Sequence, residues 1–418
     1  MKIGFISLGC SKNLVDTEMM IGYYKDKGYE IVQDPSEAEV IVINTCGFIE
    51  SAKQEAIETI LEMADYKNGI CQKLIVTGCL VERYYDELKE EMPEVDLFIP
   101  IREYDKIFET LDYHNRVIST GENFAYLRIA DGCSNNCTYC AIPKIRGPLV
   151  SRPMEDILKE AEELLAKGYK ELILIAQDTS RYGLDLYGES KLAELLTEVC
   201  KLDFKWVRFL YTYPEMITDE LIEVVKNNDK ICRYFDMPIQ HISDPVLKRM
   251  GRKGNSELIK NVISKIRTAM PDAVLRTSLI VGFPGETEEQ FNELLDFVKE
   301  VKFNRLGAFK YSMEDGTPAV KLDGHMEDEI KEERHNKIME AQQAVSEKFN
   351  ETLLEKTFNC IIDSLTEDGE YYVCRTYMDV PDIDGLVFVK NEKEHSVGEF
   401  INVKVEQILE YDLIATEV

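Results

Sequence analysis

The residues with the most distinctive chemistry lie in GCSNNCTYCAIP, residues 132–143, where Cys133, Cys137 and Cys140 follow a Cys-x3-Cys-x2-Cys spacing. Three thiolates on one tight loop can ligate three irons of a [4Fe-4S] cube. Such cubes ordinarily take four cysteines, so a missing fourth ligand leaves one iron with an exchangeable position. A zinc site is an alternative, but structural zinc wants a fourth Cys or His nearby to close its tetrahedron. The nearest upstream histidine is His114, and none follows until His241. Inert buried thiols are the remaining alternative, since Cys is often buried.

Three more cysteines, Cys10, Cys46 and Cys79, each end an apolar run that reads as a strand: KIGFISLGC, EVIVINTC and KLIVTGC. Helical patterns follow these runs, around residues 14–27, 51–66 and 81–92. This alternation predicts an open parallel α/β sheet over residues 1–113. Ligands of such sheets bind beyond the carboxyl ends of the strands, so cysteines far apart in sequence can meet at one edge. A buried strand-end thiol explains any one of the three; three in one sheet is a harder coincidence. Cys71, Cys200, Cys232, Cys360 and Cys374 show no ligand spacing and read as structural.

The elements that position the 133–140 loop come next. Beyond the polar stretch HNRVISTGEN (114–123), strand patterns at ELILIAQD, WVRFLYTYP, RYFDMPIQ, AVLRTSLIVG and RLGAFKYS alternate with helical ones. Residues 119–350 are thus predicted to form a (β/α) barrel or partial barrel, with its site at the C-terminal strand ends. Residues 326–356 read as a long charged helix without Gly or Pro. Residues 353–418 carry short strands separated by EDGE, DIDG and VGE, which predicts a small antiparallel β-barrel.

Composition sets the compartment and the partners. A chain of 418 residues, 44% hydrophobic and 30% charged, suits two or three packed domains. No apolar stretch reaches the roughly 20 residues needed to span a bilayer, and MKIGFISLGC lacks a secretory signal pattern. The expectation is a cytoplasmic protein without a membrane partner, in which clustered thiols serve metals or chemistry rather than disulfides. A net charge of −29 repels phosphate backbones and favours a basic macromolecular partner.

On its cysteine loop the chain resembles the radical S-adenosylmethionine superfamily, whose core carries this triad after its first barrel strand. The resemblance implies that Tyr139 lies beside the adenine of S-adenosylmethionine and that Gln177 and Asp178, in IAQDTS, bind its methionine amino group. It also places Gly282, in LIVGFPGE, near the adenine, although Leu279 replaces the family's first Gly there. Turn geometry is the alternative account of Gly282 and Gly285. With Cys10, Cys46 and Cys79 ahead of the core and a barrel behind it, the whole chain resembles the methylthiotransferases. In that family the N-terminal trio holds a second [4Fe-4S] cluster carrying the sulfur to be inserted, and the tail is a TRAM barrel.

The stretches SLGCSKNLVDTE, AQDTSRYG, YTYPEMITDEL and MPIQHISDPVLKRMGR resemble the ribosomal-protein (RimO-type) branch rather than the tRNA branches. The implied reaction adds a methylthio group to the β-carbon of an aspartate in small-subunit ribosomal protein twelve. S-adenosylmethionine serves as both methyl donor and radical source, with a low-potential electron donor such as flavodoxin or ferredoxin. Residues 357–418 hold four basic residues against fourteen acidic ones. This is a poor surface for nucleic acid and a good one for a basic protein, so no direct nucleic-acid binding is expected. Asp379, Asp382 and Asp384 are the expected substrate contacts. The rival readings are a tRNA adenosine methylthiotransferase and a non-catalytic Fe–S or zinc scaffold.

Overall fold

The computed structural model of the chain describes residues 1–108 and 112–418. Strands β1 (Lys2–Ser7), β2 (Glu30–Val32), β3 (Val40–Thr45), β4 (Lys73–Gly78) and β5 (Leu97–Ile99) form a parallel sheet in the order β2-β1-β3-β4-β5. Helices α1 (Ser11–Asp26), α2 (Glu50–Ala64) and α3 (Cys79–Glu91) follow β1, β3 and β4. Every residue of β3 is buried, as a central parallel strand with helices on both faces requires. Its Ile41 and Ile43 pack with Ala56 and Ile60 of α2, while Val40 and Val42 pack with Met20 of α1. Strands β2 and β5 escape sequence reading because three residues cannot display an alternation.

The second unit contains six parallel strands: β6 (Phe124–Arg128), β7 (Glu171–Ile175), β8 (Trp206–Phe209), β9 (Tyr234–Asp236), β10 (Val274–Val281) and β11 (Arg305–Lys310). They pair as β8-β7-β6 and β9-β10-β11, with a bridge from Val207 to Ile231 carrying the curve across. Among the described residues no pairing joins β6 to β11, so the barrel is partial. Period-two alternation decides its two faces. Ala125, Leu127, Leu172 and Leu174 face the helical layer through Ile157, Ala161 and Leu164. Phe124, Tyr126, Ile173 and Ile175 face inward, where they meet Val15 and Met19 of α1 and apolar residues of the tail.

After the long helix α4 (Asp328–Glu351), strands β12 (Thr357–Leu365), β13 (Tyr371–Arg375), β14 (Val387–Lys390), β15 (Phe400–Ile408) and β16 (Leu413–Glu417) close into a barrel. Its pairings are antiparallel except β14 with β16, which run parallel. No helix among the described residues is long and apolar enough to cross a membrane.

The tail barrel docks on the first residues of the core strands, the end opposite the cysteine loop. Glu171 opens β7 and is fully buried between Arg208 at 2.9 Å and Arg375 of β13 at 2.8 Å. Burial opposes its ionisation, but the two guanidinium groups hold its carboxyl below the usual range. Arg375 also grips Asp363 at 2.5 Å, and Trp206 meets Phe400 edge-on at 4.9 Å.

Two expected substrate contacts belong to this seam and are corrected here. Asp379 is buried, bonded to Arg305 at 2.6 Å and to the Thr376 hydroxyl at 2.7 Å. The Asp384 side chain is 3% exposed and accepts from the Tyr234 hydroxyl at 2.6 Å. Both carboxylates are consumed in holding the barrel to the core. Asp382 alone remains exposed.

Replacing Arg375 by Met leaves Glu171 with Arg208 alone and takes the guanidinium from Asp363, which should cost about 3–5 kcal/mol in urea denaturation. Lys390→Met, which breaks an exposed pair with Glu392, should cost at most about 1 kcal/mol. Equal effects would refute this account of the seam.

Candidate active site

Strands β1, β3 and β4 are neighbours, so the residues just beyond their carboxyl ends share one edge. Cys10 caps α1, Cys46 follows β3, and Cys79 opens α3 directly after β4. Gly9 has φ +87°, and a Cβ there would lie 2.6 Å from Cys46 Cβ and 3.0 Å from its Sγ. Only glycine therefore lets the first strand end close on the second cysteine. The Asn13 side-chain amide donates to the carbonyls of Leu8 (3.1 Å) and Thr45 (3.0 Å), and its oxygen accepts from the Cys79 thiol at 3.4 Å. One side chain thus ties all three strand ends.

Burial pushes the Cys79 thiol up to about 12 and raises that of Cys46. At Cys10 burial acts the same way, but the Lys12 ammonium, backbone N–H groups of Asn13 and Lys12, and Arg146 outweigh it and hold the thiol below its ordinary value. Thiolate is the form that ligates metal.

The second trio lies on the loop that leaves β6. Cys133 and Cys137 are buried and Cys140 is half-buried. Tyr213, beyond the end of β8, places its hydroxyl 3.2 Å from Cys137 Sγ. The Asn135 amide lies 3.4 Å from Cys133 Sγ and donates to Asp178 at 2.7 Å. Asp178 is buried, with its other oxygen accepting from the Ser180 hydroxyl at 2.5 Å and Arg181 3.1 Å away. With an amide on one oxygen and a hydroxyl on the other, Asp178 braces the cysteine loop.

Its neighbour Gln177 differs. The amide nitrogen donates to Asp131 at 3.0 Å, but the buried Oε1 has no partner. Tyr139 meets Phe283 edge-on at 6.5 Å, which brings the cysteine loop against the 282–286 turn. Gly282 has φ +69°, and a Cβ there would lie 2.5 Å from Lys331 Cγ, so turn geometry accounts for this glycine. Glu286 is bound to Arg334 at 2.6 Å. His241 is fully buried; desolvation, then Arg334, lowers it to about 3, so it stays neutral and is no acid–base group at ordinary pH.

The fold brings the two trios together. Cys79 packs against Ala141, the residue after Cys140, and against Ile145. Arg146, on the same core segment, lies 3.8 Å from Cys79 Sγ, 2.7 Å from Asn13 Oδ1, 2.7 Å from Asp16 and 3.2 Å from Asp131. Asp131 in turn holds Gln177. Sequence reading missed Asn13, Asn135, Arg146 and Tyr213. The available signal was position: each lies just beyond a strand end or within six residues of a cluster cysteine. Among the described residues no three His, Cys, Asp or Glu side chains surround a single-ion position.

Comparisons with known proteins agree with this geometry. Sequence profiles match the Uncharacterized protein family UPF0004 at residues 2–100, the Radical SAM superfamily at 127–298 and the TRAM domain at 356–418. The ribosomal protein uS12 methylthiotransferase RimO of Alkaliphilus oremlandii is 57% identical, over 99% of this chain and 98% of its own. The chain belongs to the RimO family. The RimO of Clostridioides difficile is 51% identical over 99% of this chain and 98% of its own. Among solved structures, the radical S-adenosylmethionine methyltransferase TsrM of Kitasatospora setae shares the fold at a TM-score of 0.56. It is 12% identical, over 73% of this chain and 72% of that one.

The Tyr213 hydroxyl has a measurable consequence for this RimO-family site. Hydrogen bonds to cluster sulfurs raise the potential. One net bond of about 0.5–1.5 kcal/mol over one electron is worth about 20–65 mV. If the 133–140 loop holds an iron–sulfur cluster in the reconstituted protein, Tyr213→Phe should shift its potential negatively by that amount in an EPR-monitored titration. A positive shift or none would show that this contact does not reach the metal.

Proposed function

We propose that this protein is a radical S-adenosylmethionine methylthiotransferase that modifies the β-carbon of an aspartate of ribosomal protein uS12. The observation that carries the reading is the meeting of two cysteine trios, with Cys79 against Ala141, the residue after Cys140, and Arg146 of the same core segment beside Cys79. The residues present fit two iron–sulfur clusters: each trio offers three thiols, Gly9 leaves Cys46 the space that a Cβ would fill, and among the described residues no fourth protein ligand closes the 133–140 set. The orphaned Gln177 Oε1 is an acceptor for the amino group of a bound methionine, while Tyr139 and Phe283 supply an apolar wall for an adenine.

When bound, the clusters and S-adenosylmethionine supply a radical able to take hydrogen from an unactivated carbon, and a sulfur to put in its place. Such a carbon has no acidic proton, so the protein has no need of a general base, and neutral His241 offers none. The chain's own work is positioning. Cys133, Cys137 and Cys140 would hold the cluster that opens S-adenosylmethionine. Cys10, Cys46 and Cys79 would hold the one presenting sulfur. The tail barrel, with exposed Asp382, Glu392, Glu394, Glu406 and Glu410, offers an acidic surface to a basic ribosomal protein. The reading includes a cytoplasmic location, a low-potential electron donor and no direct nucleic-acid contact.

Iron analysis and product analysis test it together. The reconstituted protein should hold about eight irons, and replacing either trio by Ala should halve that number. Cys46→Ala should still release 5′-deoxyadenosine with dithionite yet add nothing to uS12; Cys137→Ala should do neither. Mass spectrometry of uS12 from cells whose only copy is this gene should show the aspartate carrying a methylthio group. Methylthio transfer to a tRNA adenosine instead would overturn the substrate, and zinc in either trio would overturn the chemistry.

A further inference from the structure

Lys12 is 8% exposed, and no carboxylate among the described residues lies within ion-pairing distance of it. Its ammonium sits 3.4 Å from the centre of the Tyr211 ring. Its charge is met by the Tyr211 face and by the neighbouring Cys10 sulfur, with no carboxylate beside it. Other buried cations of this chain show the contrast: Arg116, Arg128, Arg146, Arg208 and Arg375 each have a carboxylate within 3 Å.

The place of this ammonium is informative. Lys12 is two residues past Cys10. Tyr211 lies beyond the end of β8, two residues before Tyr213, whose hydroxyl touches Cys137. The segment 211–213 therefore runs from beside one trio to beside the other. Tyr211 has φ +63°, a left-handed conformation costly for an aromatic residue. Its N–H donates to Asp236 at 3.0 Å and its carbonyl accepts from Thr179 at 3.0 Å, which fixes that conformation. Backbone strain held in this way keeps the ring under Lys12.

We infer that Lys12, seated on Tyr211, is the recognition point for a carboxylate on the substrate side chain, the group that distinguishes aspartate from its neutral analogues. The inference rests on the proposed function, since a carbon attacked from one trio and given sulfur from the other must lie between them. A carboxylate on the adjoining carbon then falls within reach of an ammonium at the same junction. A desolvated charge pair of this kind separates an acid from its amide by roughly 10–100-fold in affinity.

The test compares uS12 with the same protein carrying asparagine at the modified position, each bound at equilibrium to the reconstituted enzyme and to its Lys12→Met and Lys12→Arg variants. The wild-type enzyme should prefer the aspartate protein by about tenfold or more. Lys12→Met should bring the ratio to about one by weakening the aspartate protein alone, and Lys12→Arg should keep most of the preference. Because each ratio is taken on one protein, a general loss of structure weakens both partners equally and counts against the assignment, as does an unchanged ratio in Lys12→Met. If the wild-type enzyme modifies uS12 but Lys12→Met keeps the preference, only this inference falls. If the wild-type enzyme neither binds nor modifies uS12, the proposed function falls with it.

Discussion

The buried charge network around Arg146 is the constraint on which the remainder of the site depends. Its guanidinium belongs to the core, yet it is held by Asn13 and Asp16 of the N-terminal unit and stands beside Cys79. Asp16 also takes Arg128 at 2.5 Å, and Asp131 faces both guanidiniums. Burial alone would favour a neutral Asp131, but Arg146 and Arg128 keep it below the usual carboxylate range. A network of this sort adds little net stability over an apolar seam of equal volume, but removing one member leaves buried charge without compensation. It is therefore a registry device. Two units with separate sheets, joined by the packing of Val15 and Met19 on the core strands, are locked in the one arrangement that sets Cys79 against Ala141.

The tail barrel is held by the same physics at the other end of the strands. Glu171, Arg208, Arg375 and Asp363 form a dry cluster at the start of β7, and Arg305, Asp379, Tyr234 and Asp384 form a second one beside it. The acidic tail is thus divided by function. Some of its carboxylates serve to attach it, and the exposed ones carry its net negative charge. Asp382 stands at the boundary: it is exposed, yet it helps, after burial and Tyr211, to raise the Tyr126 hydroxyl on the inner face of the core.

The parts legible in sequence were those in which local pattern and local structure coincide. The 133–140 spacing sits on one loop, and the three strand-end cysteines required only that strands be recognised and that parallel sheets gather ligands at one edge. Five of the six core strands showed as apolar runs between helical patterns; β6, Phe124–Arg128, did not. The illegible parts depend on partners far along the chain. Asp379 and Asp384 read as surface acids because nothing nearby reveals Arg305 or Tyr234, 74 and 150 residues away. That Asp178 braces the cysteine loop was not legible, because Asn135, which bonds it, comes from another loop. Lys12 drew no reading from the sequence, and only the fold shows that it has an aromatic ring beneath it and no carboxylate among the described residues beside it.

The central proposal is that the two cysteine trios would each hold an iron–sulfur cluster and face one another across the Arg146 junction, and the magnetic interaction between the reduced clusters tests it most directly. Reduced clusters on neighbouring trios broaden each other's EPR signals by dipolar coupling. The spectrum of the fully reduced enzyme should therefore differ from the sum of the spectra of Cys46→Ala and Cys137→Ala, each of which retains one cluster. A spectrum equal to that sum would mean that the trios lie too far apart to act on one substrate carbon, and would contradict the account.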